Sequence, residues 1–571
     1  MPPEPHAYEI SIGETLGLIE SRLPSLIESI GKGSFALWLG SGVSRGRLPG
    51  LPEVVRELLD KLYMKVDTSD ATCPYRAALA QVVDLAALLP AERNEVDVSR
   101  PVEEWPYLDR IVASLVGKYA DVVDVRIPGQ RPDHILWDLI DVAGKFGAAD
   151  SEPDLEHWCV AWLMLEGVFP TVISANWDGL IESAVRGLLG AGVQSPMAVN
   201  VSSADFRKDQ GRAQLLKFHG CAVLASIDEE SYRKLLVGRR SQITEWPRDT
   251  DHAVIRRAMI SIASTKHTLM IGLSAQDENI QQLFAAARQD LQWTWPIDPP
   301  AILFAEDQIG SDQRNILRVA YSDYDNGHEA DIDAASVIRA YAKPLLSSLV
   351  LAVLESKLVV QARSVLNLAE NELGMVDTGL RELRNTVASS VASPDYSRMI
   401  TFITNFRRAS VLARLGEDAS DGGYVPISGA PVPLLAAQPE TGLAGSRELA
   451  VILALLGCEQ REGRVKLGVS AGEPHGAVLE VSSGGRSVRV LLAARSQAAI
   501  KMQLDGLYAE DDRNVRVIHS DPLPRERQRT PRSAPGRTGV VTTPHLSVTD
   551  LLEGVGSLGD LRKRFREEMA F

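Results

Sequence analysis

The feature that most limits the fold is a short apolar segment that ends in a glycine turn. Residues 34–39 read Ser-Phe-Ala-Leu-Trp-Leu and are followed by Gly40-Ser41-Gly42-Val43-Ser44. A helix-forming segment starts at Pro52. A buried strand, a glycine turn and a helix form a nucleotide site in open α/β sheets, because glycine lets the backbone approach a phosphate. Many buried strands also end in such a turn for packing alone.

Three later apolar segments also end in polar or small residues. Asn176 and Asp178 follow residues 168–174, His219 follows residues 215–218, and Gly272 and Ser274 follow residues 268–271. Further apolar segments alternate with helical patterns up to about residue 350. This alternation predicts an α/β fold with a Rossmann-like, doubly wound parallel sheet, which brings the carboxyl ends of its strands to one edge.

Each polar residue also has a purely structural explanation. Asp178 precedes a helix that starts at Gly179 and is well placed as its N-cap. A single histidine such as His219 at a strand end is usually structural. Asn176 is harder to explain by packing, because ligand-contacting groups lie at the carboxyl ends of such strands.

The pattern of apolar residues and the content of Pro and Gly divide the chain into four parts. Residues 1–335 form the predicted nucleotide-binding domain, with a helical insert at about 53–165 that caps the cleft. Residues 336–420 are helical, and 421–445 are rich in Pro and Gly and predict a linker. Residues 446–571 predict a small α/β domain.

The small domain shows strands followed by a closing helix, an order that is similar to restriction-nuclease folds. The acidic and lysine positions of such a site are missing, so a degenerate domain for assembly or partner docking is expected. Residues 524–537 contain five arginines and predict a loop. A solvated loop and contact with nucleic acid or an acidic partner both remain open.

Composition narrows the classes of function. The net charge of −15 argues against a general nucleic-acid coat. The four cysteines are far apart and form no CxxC pair, which fits a reducing cytoplasm and no zinc ribbon. His134, His157, His252 and His267 are scattered, so we interpret them as structural and expect no metal. No apolar run is long enough to predict a membrane span, and no signal peptide is visible.

The ordered motifs GSGVS, SANWD, KFHG and GLSAQD resemble the sirtuin (SIR2) domain over about residues 34–305. The segment 226–232 after His219 is similar to prokaryotic SIR2-like proteins of phage defence, which mostly destroy NAD. The four zinc-binding cysteines and the Phe-Gly-Glu segment of protein deacylases are absent. The Asp-Phe-Arg that follows the glycine turn in deacylases is also missing, which puts the handling of nicotinamide in doubt.

The resemblance implies roles for nine residues. Asn176 would position the ribose or the attacking water, and His219 would act as the general base. The others would bind NAD: Gly40, Ser41, Gly42 and Ser44 at the pyrophosphate, Gly272 and Ser274 at the adenosine ribose, and Asp178 beside Asn176 or as a helix cap.

The resemblance predicts an NAD glycohydrolase that depletes NAD in abortive infection. Whether hydrolysis or cyclisation dominates is left open. A second hypothesis is a non-catalytic sensor of NAD or an ADP-ribose derivative, and a zinc-free deacylase is a third. Because an unrestrained NADase would harm its own cell, we expect control by a homo-oligomer or a phage-triggered complex, with the apolar helices at 345–375 as the oligomer interface. On family resemblance alone, the expected partner is an ATPase or an Argonaute-like protein.

Overall fold

The computed structural model describes residues 6–70, 72–148, 152–189, 195–208, 211, 213–391, 395–415, 426–427, 445–469, 478–493, 495–509, 512, 514–522 and 545–569. The arginine-rich segment 524–537, the predicted strand at 539–543 and nearly all of the predicted linker lie outside these residues.

The larger sheet has seven strands, and all of its pairings are parallel. Its order is β3-β4-β2-β1-β5-β6-β7, which confirms the Rossmann-like prediction. The strands are β1 (Phe35–Leu39), β2 (Thr171–Ser174), β3 (Met197–Asn200), β4 (Ala213–Lys217), β5 (His267–Ile271), β6 (Ile302–Ala305) and β7 (Val337–Ile338). The sequence did not predict β3 and β7, because four and two residues are too few for a clear period-two pattern.

The centre of the sheet is a fully buried strand. Every residue of β1 is buried, as expected for a parallel strand covered on both faces. The chain continues from β1 to β2 on one side and returns through β5 on the other. This change of direction forms a crevice at the carboxyl ends of β1, β2 and β5, where open α/β sheets bind ligands.

Short helices connect these strands. They are α1 (Ile12–Arg22), α2 (Leu26–Gly31), α3 (Leu51–Met64), α4 (Pro74–Leu85), α5 (Pro90–Glu95), α6 (Leu108–Val116), α7 (Tyr119–Val122), α8 (Val142–Phe146), α9 (Leu155–Leu165), α10 (Leu180–Leu189), α11 (Ala222–Ile227), α12 (Glu229–Tyr232), α13 (Arg240–Glu245), α14 (Ala253–Thr265), α15 (Glu278–Leu291), α16 (Ser311–Ala320) and α17 (Glu329–Ala335). Residues Ile135–Leu139 form one turn of π-helix, and 3-10 turns occur at Ser41–Ser44, Val102–Glu104, Asp205–Arg207, Arg233–Leu235 and Tyr324–Asn326.

Two predicted helices are each broken in the structure. The segment 11–31 forms α1 and α2 with a break at 23–25, which contains Pro24. The segment 134–146 is interrupted at Asp141, whose φ of 60° lies in the left-handed region. The predicted strand at 168–174 also begins later, at Thr171.

The helical insert has a hydrophobic core of its own. Apolar side chains of α3, α4, α6 and the π-helical turn pack together with Tyr232, Leu235 and Leu236, which follow β4. The insert is therefore fastened to the segment that carries His219. Helix α9, at the end of the predicted insert, packs instead into the core beneath the sheet.

The remaining residues form long helices and a second sheet. The helices are α18 (Ala342–Val365), α19 (Glu370–Ser390), α20 (Ser397–Leu415), α21 (Ser446–Arg461), α22 (Ser496–Leu504), α23 (Val548–Leu552) and α24 (Leu558–Met569). The strands are β8 (Lys466–Val469), β9 (Leu479–Ser483), β10 (Arg486–Leu492), β11 (Val515–His519) and β12 (His545–Ser547), in the order β12-β11-β10-β9-β8. Strands β10, β11 and β12 are parallel, and β8 and β9 are antiparallel additions.

Helix α18 lies inside one continuous core. By length and composition alone it would cross a bilayer, but 78% of its apolar window is buried inside the chain. Its side chains pack against α1, α9, α19 and α21. This chain therefore already covers most of the apolar surface of α18, which belongs to the helices expected at 345–375 as an oligomer interface, and the oligomer itself stays a prediction.

Candidate functional site at the carboxyl edge of the sheet

The end of β1 and the end of β5 pack backbone against backbone. The N–H of Gly42 donates to the carbonyl oxygen of Gly272 at 3.1 Å, and Gly272 has φ of +63°. A Cβ on Gly42 would lie 2.6 Å from the Cα of Gly272, and a Cβ on Gly40 would lie 2.3 Å from the Gly272 oxygen. A side chain at any of these three positions would clash with the facing backbone, so close packing alone requires glycine there.

Four buried polar side chains meet beside this turn. Ser44 Oγ donates to Asp178 Oδ2 at 3.0 Å, lies 3.2 Å from His157 Nε2, and accepts from Asn176 Nδ2 at 3.2 Å. The exposed fractions of these residues are between 1% and 8%. The cluster joins the 3-10 turn after β1 to the end of β2 and the first turn of α9.

The backbone fixes the protonation of His157 in this cluster. The N–H of Asp154 donates to Nδ1 of His157 at 3.1 Å, so Nδ1 carries no hydrogen. Nε2 therefore carries the hydrogen and donates it to Ser44 Oγ. Burial lowers the pKa of His157, and Asp178 opposes that shift. The ring stays neutral, and Ser44 is left with one orientation, in which its own hydrogen points to Asp178.

Asn176 is held by both hydrogens of its amide. Nδ2 donates to the carbonyl oxygen of Gly40 at 3.2 Å as well as to Ser44 Oγ. Because a carbonyl oxygen can only accept, the contact with Gly40 fixes which end of the amide is nitrogen. Oδ1 makes no hydrogen bond to any described residue and remains available as an acceptor.

Asp178 lies where the sequence placed it as a helix cap. Its Oδ1 accepts from the N–H of Leu180 at 3.1 Å, while Oδ2 accepts from Ser44. Asp178 therefore caps α10 and orients Ser44 at the same time. The helix-cap explanation is confirmed, and a role of Asp178 in NAD binding stays a prediction.

The cationic amine of Lys217 supports this region from the end of β4. Its side chain is 1% exposed and pairs with Glu182 at 2.6 Å. It also donates to the carbonyl oxygen of Asp178. Burial alone would lower the pKa of Lys217, but Cys221 and Glu182 raise it above its ordinary value. A charged amine thus fastens β4 to the first turn of α10.

The ring of His219 is buried next to this cluster. Its Nε2 lies 3.1 Å from Asn279 Nδ2, in the first turn of α15. Burial lowers the pKa of His219, while Asp277 and the backbone of Ala175 act in the opposite direction. Trp177 Nε1 donates to the carbonyl oxygen of His219 at 2.9 Å. His219 is therefore neutral near pH 7 and is held by neighbours on several sides.

A comparison with protein families matches this same region. Residues 170–322 match the family model described as a SIR2-like domain. This part of the chain is a SIR2-like domain. The match contains Asn176, His219 and Ser274, and it begins after the glycine turn at 40–44. No curated protein matches the chain.

The match at residues 170–322 supports an NAD-related enzyme family. The fold brings Gly40, Ser44, Asn176 and Asp178 into one hydrogen-bonded group and joins Gly42 to Gly272. Ser41 and Ser274 are exposed at this edge, and their side chains contact no polar group of the described residues. The role of each residue in NAD binding stays a prediction.

The sequence analysis missed two residues of the candidate site and one neighbour of it. His157 was interpreted as a scattered structural histidine, but it contacts Ser44 across 113 residues of chain. Asn279 contacts His219 across 60 residues, and its position two residues after Asp277 was the only signal. Glu156, next to His157, is 5% exposed, and burial raises its pKa to about 7.

Two of the histidines that the sequence analysis interpreted as structural have local partners. His134 contacts Asp138 at 2.7 Å and Tyr75 at 3.2 Å, and His252 contacts Asp249 at 2.8 Å. Among the described residues, no group of three or more His, Cys, Asp or Glu side chains is arranged to hold a metal ion.

Proposed function

We propose that the chain is an NAD glycohydrolase that releases nicotinamide and ADP-ribose. The observation that carries the proposal is the fixed amide of Asn176, whose Oδ1 is left as an acceptor at the carboxyl edge of a SIR2-like domain. The exposed Ser41 and Ser274 and the glycine turn line the same edge. These groups suit a dinucleotide that lies across the crevice.

Cleavage of the bond between ribose and nicotinamide does not require a strong acid catalyst. Nicotinamide leaves as a neutral molecule from its pyridinium form, so the protein must stabilise positive charge at the ribose and admit water. Asn176 Oδ1 carries partial negative charge and can orient the ribose or the water. The bond from ribose to nicotinamide breaks, a bond to the water oxygen forms, and one proton is released.

His219 is the proposed acceptor of that proton. Its neutral ring has the form that a general base requires. Asn279 occupies Nε2 in the structure, so substrate or water must replace this amide before the proton is transferred. His219 is thus proposed as a base that becomes available only when the site is filled.

The occupied ring of His219 also favours a second candidate function. A domain that binds NAD or an ADP-ribose derivative without cleaving it needs no free base. Such a domain would act as a sensor that regulates a partner. The two functions differ in what Asn176→Ala changes: an enzyme loses turnover and keeps much of its ligand affinity, whereas a sensor keeps its output.

The test is to incubate the purified full chain with NAD and follow nicotinamide by chromatography. Because an unrestrained NADase would harm its own cell, lysate from phage-infected cells is added as a trigger in a parallel arm. We expect nicotinamide release that falls at least about 100-fold in Asn176→Ala and His219→Ala. Asn371→Ala, at an exposed position on α19, is the control. NAD binding without hydrolysis in every arm would refute the enzyme and favour the sensor.

We also propose that the chain acts as an NAD-depleting effector in anti-phage defence, held inactive until an oligomer or a partner protein forms. The family resemblance supports this role. Because α18 is buried, the assembly surface must lie elsewhere, and the C-terminal sheet with its flanking helices is our choice. Sedimentation of the full chain with and without the infected lysate tests it.

A further inference from the structure

A second pocket lies beside the insert, and neither Asn176 nor His219 lines it. Its volume is about 230 Å³, and it is bounded by the π-helical turn on one side and by residues 233–242 on the other. None of the nine predicted site residues lines it. Leu136, one of its walls, lies 3.4 Å from the position of a Cβ on Gly238, and the ring of Trp177 lies 3.0 Å from the same position.

The unusual group in this pocket is the guanidinium of Arg239. Its side chain is 13% exposed. The Nε atom is buried and has no hydrogen-bond partner among the described residues. The closest carboxylate oxygen, Asp124 Oδ1, lies 3.7 Å from Nη1. A buried charge without a hydrogen bond is costly, and such a group in a native fold needs an explanation.

Asp124 cannot neutralise Arg239 by itself. Both of its oxygens already accept hydrogen bonds from Ser241, at 2.8 Å from the backbone N–H and 2.8 Å from the hydroxyl. Arg126 also approaches Asp124 Oδ1, at 3.8 Å. Burial and, second, Arg126 lower the pKa of Arg239. One carboxylate is thus shared by two guanidinium groups, while Asp133 and Glu245 offset further charge of Arg239. What remains is a guanidinium whose buried Nε makes no hydrogen bond to the described residues.

The other arginine of the pocket, Arg233, is paired with a carboxylate. Arg233 makes two hydrogen bonds to Asp133, at 2.7 and 2.9 Å. Its guanidinium also stacks over the ring of Trp137, with 4.7 Å between the guanidinium carbon and the ring centroid. Trp137 is partly exposed and lines the pocket. The pocket therefore combines a guanidinium whose Nε makes no hydrogen bond to the described residues with an aromatic ring that stacks on a second guanidinium.

We propose that this pocket binds a mononucleotide, with Arg239 on the phosphate and Trp137 against the base. A guanidinium pairs with phosphate through two parallel hydrogen bonds, and tryptophan stacks on planar bases. The volume lies below the range of about 300–1,000 Å³ that is usual for drug-sized ligands, which favours a mononucleotide over a dinucleotide.

Calorimetric titration of the full chain with AMP, and separately with pyrophosphate, tests the site. We expect AMP to bind the natural chain and its Kd to rise at least about tenfold in Arg239→Gln. Arg240→Gln is the matched control, because Arg240 is the next residue, is 47% exposed, pairs with Asp121 and does not line the pocket. Ser44→Ala controls for binding in the crevice and should leave the AMP affinity of this pocket unchanged.

Two further measurements distinguish a loss of AMP binding from a loss of the fold. Arg239→Gln should keep or raise the melting temperature, since it removes a buried guanidinium whose Nε has no hydrogen bond to the described residues. Trp137→Phe should abolish the quenching of tryptophan fluorescence by AMP and keep most of the affinity. Equal AMP affinity in Arg239→Gln and the natural chain, or no AMP binding at millimolar concentration, would overturn the proposal. Neither result depends on NAD hydrolysis.

Discussion

Asn176 donates a side-chain hydrogen to the carbonyl oxygen of Gly40 at 3.2 Å, which ties the end of β2 to the end of β1. The second amide hydrogen goes to Ser44 Oγ. An aspartate at this position would place two acceptors together. We therefore expect Asn176→Asp to lose about 1–3 kcal/mol of unfolding free energy at pH 8 and to recover part of it at pH 5, where the acid can donate to Gly40.

Thermal unfolding at several pH values measures this effect. Asn176→Ala is the control, because it lacks an acid and should differ from the natural chain by a constant amount over the same pH range. A pH-independent loss in Asn176→Asp would contradict the assignment of the amide nitrogen to the Gly40 side.

His157 is a positioning residue for Ser44. Its Nε2–H donates to Ser44 Oγ, and its Nδ1 accepts from the backbone of Asp154. We expect His157→Leu to lower kcat for NAD hydrolysis about tenfold with little change in KM, because Ser44 loses its orientation. His157→Gln, whose amide can still donate to Ser44, should recover most of kcat. If both variants lose stability but keep the kcat of the natural chain, His157 contributes only to core packing.

The carboxyl of Glu156 destabilises the fold when it is charged. Burial raises its pKa from 4.5 to about 7, and Oε2 has no partner among the described residues. Since the folded pKa is the higher one, the folded state holds the proton more tightly, and this stability is lost as pH rises from about 4.5 to about 7. Glu156→Gln should therefore be more stable than the natural chain at pH 8 by up to about 3 kcal/mol.

Denaturant unfolding at pH 5 and pH 8 checks the prediction for Glu156. The gain from Glu156→Gln should shrink at pH 5, and Glu152→Gln should show no such gain, because that side chain is 84% exposed. An equal gain at both pH values would mean that the charge of Glu156 is not the cause.

Helices α19 and α21 cross at two glycines. A Cβ on Gly457 would lie 1.8 Å from the carbonyl oxygen of Gly379, so the helices would have to separate. We expect Gly457→Ala to cost about 3 kcal/mol or more of unfolding free energy. Gly374→Ala, on α19 with nothing within 4 Å of its Cβ, should instead stabilise the chain by about 0.5–1 kcal/mol. Equal effects in the two variants would contradict the close crossing.

Helix α18 covers the apolar faces of α1 and α9. A chain that ends at residue 335 would expose that surface to water. We expect the shortened chain to be insoluble or to lack a cooperative thermal transition, whereas the full chain melts cooperatively. A soluble shortened chain with a sharp transition would show that the nucleotide-binding half folds without α18.

The sequence alone determined the central strands of the sheet and the edge at which the candidate site lies. Strands β1, β2, β4, β5 and β6 are apolar runs that end in polar or small residues, and helical patterns alternate with them. A parallel sheet brings the carboxyl ends of its strands to one edge, however far apart they are in the chain. This rule was enough to place Asn176, Asp178 and His219 on that edge.

Only the tertiary structure decided how those residues are held. His157 and Asn279 reach Ser44 and His219 across 113 and 60 residues, and contacts at such separations leave no local pattern in the chain. The same holds for α18, whose apolar residues look alike whether a membrane, a second copy or this chain covers them. In the structure α18 is buried against α1, α9, α19 and α21. Only the tertiary structure shows this, because packing depends on which surfaces meet in three dimensions.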